Sequence, residues 1–197
     1  SSDLGVTTNP TLLKRALQPC NLAQLAVLSQ QAIGLGAQEV HLQTWGETVN
    51  DLHSRGRDLA AIAPQVVVKV PITSSGAGAA QALIKDGIGL TFTACYEPAQ
   101  VLIAAALGAR YIAPYLGRIS DLGRDGHAEL LQMQRCLEGL GSSVRLLVAS
   151  LRHSSDLTRL AAEGVSTFTI SPAIAEALFA SEATTAAAAQ FEQDALA

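Results

Sequence analysis

The segment VVVKVP, residues 66–71, is the stretch that best predicts the fold of this chain. Four of its six residues are valine, and β-branched residues at this density favour a strand that is buried on both faces. Strands of that kind belong to parallel sheets covered by helices. The single charged residue, Lys69, therefore stands in an apolar strand, where an ammonium group loses most of its solvation.

Similar apolar patterns recur on both sides of this segment, at intervals of about 25 to 35 residues, as in a repeated β/α unit. Helical patterns separate them, and Thr48 is a predicted N-cap for one of the helices. The predicted strands cover residues 4–8, 39–44, 66–71, 89–94, 110–115, 144–150 and 166–171. This alternation predicts one α/β domain with a parallel sheet over residues 1–197.

Two architectures fit the alternation, an open doubly wound sheet and a closed (β/α)₈ barrel. A dinucleotide-binding doubly wound sheet carries a glycine-rich loop after its first strand, whereas TTNPTLL (7–13) follows the first strand here. Polar residues instead stand at the carboxyl end of nearly every predicted strand: Asn9, Gln43, Lys69, Thr93, Tyr115, Ser150 and Ser171. This distribution predicts a TIM barrel with a site at its C-terminal mouth. With seven strands predicted, one β/α unit is missing from the barrel.

Composition and charge narrow the function classes. The net charge is −4 without any basic run, so nucleic acid and membrane surfaces are not expected as partners. No apolar run reaches the roughly 18 residues of a membrane span, and no signal peptide is visible. The three cysteines and four histidines lack metal-ligand spacing, so neither a metal nor another cofactor is predicted. We expect free thiols in a reducing cytoplasm.

Lys69 is the first candidate for chemistry. Burial lowers the pKa of an ammonium group, and a neutral amine can attack a carbonyl and form a Schiff base. The alternatives are a lysine whose head reaches solvent at the strand end, or one half of a buried ion pair. No carboxylate stands at the carboxyl end of another predicted strand, which weakens the ion-pair alternative.

Each of the other polar residues at or near the strands has both a structural and a functional interpretation. Tyr115 is a possible acid or base, or an aromatic residue at the rim. Arg118 and Arg152 follow neighbouring strands and, with Ser150, could bind one phosphate, although each arginine alone is a typical surface charge. His41, inside a strand, is expected to be a core residue with its polar atoms paired.

Four motifs together resemble the transaldolase family, and more closely its small branch, which includes fructose-6-phosphate aldolase. They are GVTTNPTLL (5–13), VVVKVPIT (66–73), APYLGRI (113–119) and ASLRH (149–153), and the likeness extends to QFEQD (190–194). The resemblance implies a metal-free class I (β/α)₈ enzyme acting on sugar phosphates, with Lys69 as the Schiff-base residue.

The resemblance also implies a role for each strand-end residue. Asn9 contacts the hydroxyls of the donor sugar. Gln43, Thr93 and Tyr115 hold the catalytic water, and the phosphate is bound by Arg118, Ser150 and Arg152. Gln and Tyr at positions 43 and 115 are typical of the aldolase branch, whereas the sequence around Gly117–Arg118 and Arg152 is closer to transaldolase.

Three functions therefore stay open: a fructose-6-phosphate aldolase, a transaldolase, and an inactive sugar-phosphate-binding protein. The third function is considered because this sequence departs from the family pattern. In the family, the first strand carries an aspartate upstream of GVTTNP. The printed sequence begins just before that motif, which indicates truncation or a barrel with an open seam. The tail 183–197 is a predicted helix that either closes the bottom of the domain or reaches a neighbour. By resemblance, the neighbour belongs to a homo-oligomer, a pentamer or decamer.

Overall fold

Six parallel strands form one sheet in the computed structural model, which describes residues 5–196. The strands are β1 (Gly5–Thr7), β2 (Glu39–Gln43), β3 (Val66–Pro71), β4 (Leu90–Cys95), β5 (Tyr111–Pro114) and β6 (Arg145–Leu146). Their order in the sheet is their order in the sequence. A doubly wound sheet reverses its strand order part-way, so the consecutive order indicates part of a barrel.

The closed eight-stranded barrel is not present among residues 5–196. β1 pairs with β2 and β6 pairs with β5, but within this range no bridge joins the two ends of the sheet. The result is an α/β fold with a partial barrel. A cavity of about 410 Å³ lies between β1 and residues 167–170.

The seventh predicted strand, 166–171, is reduced to one isolated bridge between Val148 and Phe168. Two hydrogen bonds support it, from the Val148 amide to the Thr167 carbonyl (3.0 Å) and from the Thr169 amide to the Val148 carbonyl (2.8 Å). The prediction of a full strand was wrong, because a strand needs consecutive bridges and the described pairing of this segment consists of one. The strand predicted over 144–150 is likewise shorter, although bridging continues to Ala149.

Ten helices lie between and after the strands in the described part of the chain, and several of them pack against one face of the sheet. They are α1 (Pro10–Arg15), α2 (Leu22–Gly34), α3 (Val49–Ala60), α4 (Ser74–Lys85), α5 (Gln100–Leu107), α6 (Leu116–Asp121), α7 (Gly126–Gly139), α8 (Ser154–Ala161), α9 (Pro172–Ala177) and α10 (Glu182–Ala195). The predicted cap at Thr48 is confirmed, since its hydroxyl accepts from the Asp51 amide in a capping box.

The two faces of β3 explain how an apolar strand can hold a lysine. Val66, Val68 and Val70 pack into the main core between the sheet and the helices. Burial of each valine side chain stabilises the folded state by about 1.5–3 kcal/mol, and the three valines together offset the free-energy cost of burying one amine. Val67 and Lys69 alternate with them and point to the opposite, interior face of the partial barrel.

Cys95 lies in the core on the helix side of the sheet, away from the candidate site. Ala94 has a φ of 57°, and the β4–β5 register shifts between Phe92 and Cys95. The irregularity turns Cys95 into the helix-side core, where burial raises the pKa of its thiol to about 12. Such a thiol stays protonated and unreactive near neutral pH.

Helix α10 does not close the bottom of the domain, since none of its described residues is buried. Phe191 and Leu196 are 71% and 86% exposed. That sequence-based alternative is therefore wrong, and Ala197 lies outside the described residues. No helix in the range 5–196 is long and apolar enough to cross a membrane.

Candidate active site

Lys69 is buried, with 6% of its surface exposed, and its amine is held by the end of β1. Its Nζ donates to Thr7 Oγ1 at 2.8 Å and to the Thr8 carbonyl at 3.2 Å. Neither acceptor carries a charge, so among residues 5–196 the amine has hydrogen bonds without a counter-ion. Within this range both structural alternatives for this lysine, solvent exposure and a buried ion pair, are wrong.

Burial is the cause of the unusual acidity of this group. It lowers the pKa of the Lys69 ammonium from 10.5 to about 8. About a tenth of the amine is then neutral at pH 7, roughly three hundred times more than for an ordinary lysine. The nucleophilic form is thus available near neutral pH without a neighbouring base.

Gln43 and Thr93 are on the two strands that flank Lys69. Gln43 is the register partner of Lys69 on β2, and Thr93 is the partner of Pro71 on β4. Because side chains alternate along a strand, all three point to the interior face. Thr93 Oγ1 lies 2.6 Å from the hydroxyl of Tyr115, so these two residues form one hydrogen-bonded pair.

Arg118 connects this pair to the rim. Its guanidinium lies 5.0 Å from the ring centroid of Tyr115 and donates to the hydroxyl of Tyr96 at 3.3 Å. Tyr96 in turn packs edge-on against Tyr115, with ring centroids 5.6 Å apart. Sequence reasoning missed Tyr96, which follows the irregular end of β4 and belongs to no strand or helix pattern.

Ser150 and Arg152 lie close to the start of α6. The Gly117 amide donates to the Ser150 carbonyl at 2.9 Å. A Cβ atom on Gly117 would lie 2.5 Å from that carbonyl and 2.8 Å from Arg152 Nε, so only glycine fits there. The guanidinium of Arg152 pairs with Asp121, at the end of α6.

A second cavity of about 410 Å³ adjoins Arg152 and has a hydroxyl-rich lining that includes Ser154, Ser155 and Ser171. The backbone there is fixed by Asp156, which accepts from the amides of Arg152 (3.3 Å) and His153 (3.1 Å). An arginine on a fixed backbone beside hydroxyl groups can bind an anion.

Asn9 does not contact the lysine through the oxygen of its side-chain amide. That atom accepts from the Leu12 amide at 2.8 Å and caps α1. The side-chain NH₂ is the group left to meet a ligand. Thr7, which accepts from the lysine directly, stands in the segment TTNPTLL (7–13) but was not among the predicted site residues.

Comparison with known proteins gives the family of the chain. A family model described as Transaldolase/Fructose-6-phosphate aldolase matches residues 3–197. The chain belongs to this family. The match covers nearly the whole chain, including the strand ends that carry the candidate residues.

Curated relatives give the same result. A protein named "Probable transaldolase" from Caulobacter sp. (strain K31) is 36% identical over 190 residues, which is 96% of this chain and 85% of the relative. Proteins of the same name from Caulobacter vibrioides and Phenylobacterium zucineum are 34% identical, each over 96% of this chain and 85% of the relative. Membership of the family is therefore established, but these names do not separate its two activities for this chain.

Proposed function

We propose that this chain is a Schiff-base aldolase that cleaves or forms the C3–C4 bond of fructose 6-phosphate. The observation that carries the proposal is Lys69, a buried amine with a pKa of about 8 and no counter-ion among its hydrogen-bond partners. Gln43 and Tyr115 favour the aldolase over the transferase, since the resemblance associates this pair with the aldolase branch.

The reaction begins when the neutral amine attacks the C2 carbonyl of the ketose. Loss of water from the carbinolamine gives an iminium, which accepts the electron pair of the C3–C4 bond as that bond breaks. The C4 hydroxyl passes its proton to a water molecule as this bond breaks, so that glyceraldehyde 3-phosphate leaves and an enamine of dihydroxyacetone remains on Lys69. Protonation of the enamine and addition of water to the resulting iminium release dihydroxyacetone and restore the amine.

The hydrogen-bonded pair of Thr93 and Tyr115 is the proposed proton-transfer group. Its hydroxyls are 2.6 Å apart on the face shared with Lys69, where they can orient a water molecule, with Gln43 on the opposite side of the lysine. Asn9 is proposed to contact the donor hydroxyls through its NH₂ group. Arg118, Ser150 and Arg152 are proposed to bind the phosphate.

Borohydride trapping tests the proposal directly. We expect fructose 6-phosphate or dihydroxyacetone, followed by borohydride, to leave a stable adduct that mass spectrometry locates on Lys69. An adduct on another lysine, or none, would contradict the proposal. Tight binding of a sugar phosphate without an adduct would instead support an inactive binding protein.

Transaldolase is the second candidate, because the curated relatives carry that name. A transaldolase passes the enamine to an aldose acceptor, so its turnover of fructose 6-phosphate depends on erythrose 4-phosphate. The aldolase releases dihydroxyacetone with no acceptor present. Assays of dihydroxyacetone release with and without erythrose 4-phosphate separate the two.

Replacing Tyr115 with phenylalanine is expected to slow aldol cleavage by about 10²- to 10⁴-fold, the usual contribution of a general acid–base group. Adduct formation with dihydroxyacetone should persist, because the amine of Lys69 is unchanged. The measurement is steady-state cleavage beside borohydride trapping. Tyr96→Phe is the matched control, since it removes a neighbouring hydroxyl whose described partner is Arg118. Equal loss in both variants would exclude a special role for Tyr115.

Replacing Arg152 with methionine is expected to raise KM for fructose 6-phosphate by about 10- to 100-fold, because a charge-assisted hydrogen bond contributes about 1.5–3 kcal/mol. The rate of adduct formation with unphosphorylated dihydroxyacetone should stay unchanged. Arg159→Met, an exposed arginine later in α8, is the control. The assignment fails if Arg152→Met affects both substrates alike.

We also propose a homo-oligomer, in which α10 meets a neighbouring copy. The helix exposes Phe191, Leu196 directly after it is also exposed, and the helix gives no buried residue to its own domain. The family resemblance implies a pentamer or decamer. Light scattering of the protein in solution measures the mass of the assembly, and a monomer at micromolar concentration would contradict this part of the proposal.

A further inference from the structure

A second polar group lies on the interior face of the sheet, below the lysine and toward the amino ends of the strands. His41 Nδ1 lies 3.0 Å from Thr91 Oγ1, and His41 Nε2 lies 2.9 Å from Glu39 Oε2. All three residues are buried. Neither the mechanism above nor the family resemblance uses them.

The protonation of His41 follows from its two partners. A carboxylate only accepts hydrogen bonds, so Nε2 carries the hydrogen and donates it to Glu39. Burial lowers the pKa of His41, which keeps the imidazole neutral near pH 7. Nδ1 is then an acceptor, and the hydroxyl of Thr91 donates to it.

This bond crosses the strand that carries the lysine. His41 is on β2 and is the register partner of Val67, whereas Thr91 is on β4 and is the partner of Lys69. The bond from His41 to Thr91 therefore passes over β3 diagonally, between the rows of Val67 and Lys69.

The lysine side chain crosses in the opposite direction. It starts beside Gln43 and ends on Thr7, whose register partner on β2 is His41. The stem of Lys69 thus passes over β2 between the rows of Gln43 and His41. His41, whose ring is held by Thr91, is the next residue on this face of β2 below that crossing.

The position of His41 matters because this residue also lines the cavity of about 410 Å³ beside β1. The lining of that cavity includes Thr7, Glu39, His41 and Tyr111. A cavity of that size with these polar groups in its lining can hold water molecules. The lysine amine is bound to Thr7, at the border of the cavity, so the groups beneath its stem control how much water it meets.

We propose that the His41–Thr91 bond fixes the ring of His41 between the side chain of Lys69 and this cavity, which makes His41 a positioning residue for the Schiff-base lysine. The inference rests on the proposed function, because it assigns a task in the preparation of that amine. Without the bond, water from the cavity hydrates the ammonium, and fewer molecules carry the neutral amine at pH 7.

The charged groups around His41 are paired with one another, so they do not take over the role of the His41–Thr91 bond in supporting Lys69. Glu39 forms an ion pair with Arg110 and accepts from the Tyr111 hydroxyl at 3.3 Å. Arg145 donates to the same hydroxyl. The neighbouring charge on Lys69 itself disfavours protonation of His41.

Four variants separate support of the lysine from simple packing. Thr91→Val keeps the shape of Thr91 and removes its donor, whereas Thr91→Ser keeps the donor. His41→Asn keeps an acceptor near the position of Nδ1, so the bond to Thr91 can survive. His41→Gln keeps a donor near Nε2, so the bond to Glu39 can survive and the one to Thr91 is lost.

Two readouts report on Lys69. Competitive acetylation with acetic anhydride between pH 6 and 10, read by mass spectrometry, gives the pKa of the amine without any sugar. Borohydride trapping with dihydroxyacetone gives the rate of adduct formation. Thr91→Val and His41→Gln are expected to raise the pKa of Lys69 by about one unit and slow trapping about tenfold at pH 7. Thr91→Ser and His41→Asn should stay within about twofold of the parent.

The double variant Thr91→Val with His41→Gln should show no further loss, since both changes remove the same bond. The inference is overturned if His41→Asn is as defective as His41→Gln, or if Thr91→Val leaves the pKa of Lys69 unchanged. Should Thr91→Val not fold, the comparison of Asn with Gln at position 41 gives the answer alone. Should the parent form no adduct, the proposed function fails while acetylation still tests the support of Lys69.

Discussion

Lys69→Met is expected to abolish adduct formation and to reduce cleavage of fructose 6-phosphate by about 10⁴-fold or more, as loss of a covalent nucleophile does in other enzymes. Methionine has nearly the same length as lysine and fills the same apolar surroundings, but it has no amine. The measurement is dihydroxyacetone release together with mass spectrometry after borohydride. The expected spectrum of the variant contains no reduced adduct.

Two controls make this result interpretable. Lys85→Met removes an exposed lysine at the end of α4 and should leave activity and trapping unchanged. Inorganic phosphate should protect the parent and Lys69→Met equally against thermal unfolding, because the proposed phosphate site at Arg152 does not include the lysine. If Lys69→Met retained more than about a hundredth of the parental activity, the Schiff-base mechanism would be wrong.

The same substitution is expected to raise stability at pH 7 by about 1–3 kcal/mol. The pKa of Lys69 falls from 10.5 to about 8 on folding, and the difference corresponds to roughly 3 kcal/mol of unfavourable burial for the charged form. Methionine avoids this cost. Part of the gain is lost because Thr7 Oγ1 and the Thr8 carbonyl no longer receive hydrogen bonds.

The pH dependence distinguishes this effect from better packing. Below pH 8 the lysine is protonated in both the folded and the unfolded chain, so the penalty is fully present. Between pH 8 and 10.5 only the unfolded chain keeps the proton, so the stability of the parent rises with pH toward that of the variant. Urea unfolding at pH 7 and pH 10 measures both differences. A gain that is the same at both values would indicate packing alone.

The strands were predictable where a continuous apolar pattern coincides with pairing on both sides. For residues 66–71 the predicted and observed strands are the same, and residues 39–44 lose only one residue at the end. The prediction failed at residues 166–171, because a strand needs partners and this segment has one bridge. Residue type alone does not reveal how many neighbours a strand has.

The candidate residues were predictable to the extent that parallel strands bring their carboxyl ends to one edge. This rule placed Lys69, Thr93 and Tyr115 on one side of the sheet, where the last two form a hydrogen-bonded pair. Tyr96 and Asp121 were not predicted, since their roles depend on contacts with Arg118 and Arg152 after the chain has folded.

Local pattern in the sequence was sufficient for the α/β class, the position of the lysine strand and the family to which the chain belongs. The reason is that side-chain periodicity and motif spacing are properties of neighbouring residues. The state of the lysine depended on tertiary contacts between segments about sixty residues apart, where Thr7 and Thr8 accept from Lys69. The bond between His41 and Thr91 across β3 is of the same kind. Only the folded sheet brings these groups within hydrogen-bond distance and removes the water that would otherwise keep the amine charged.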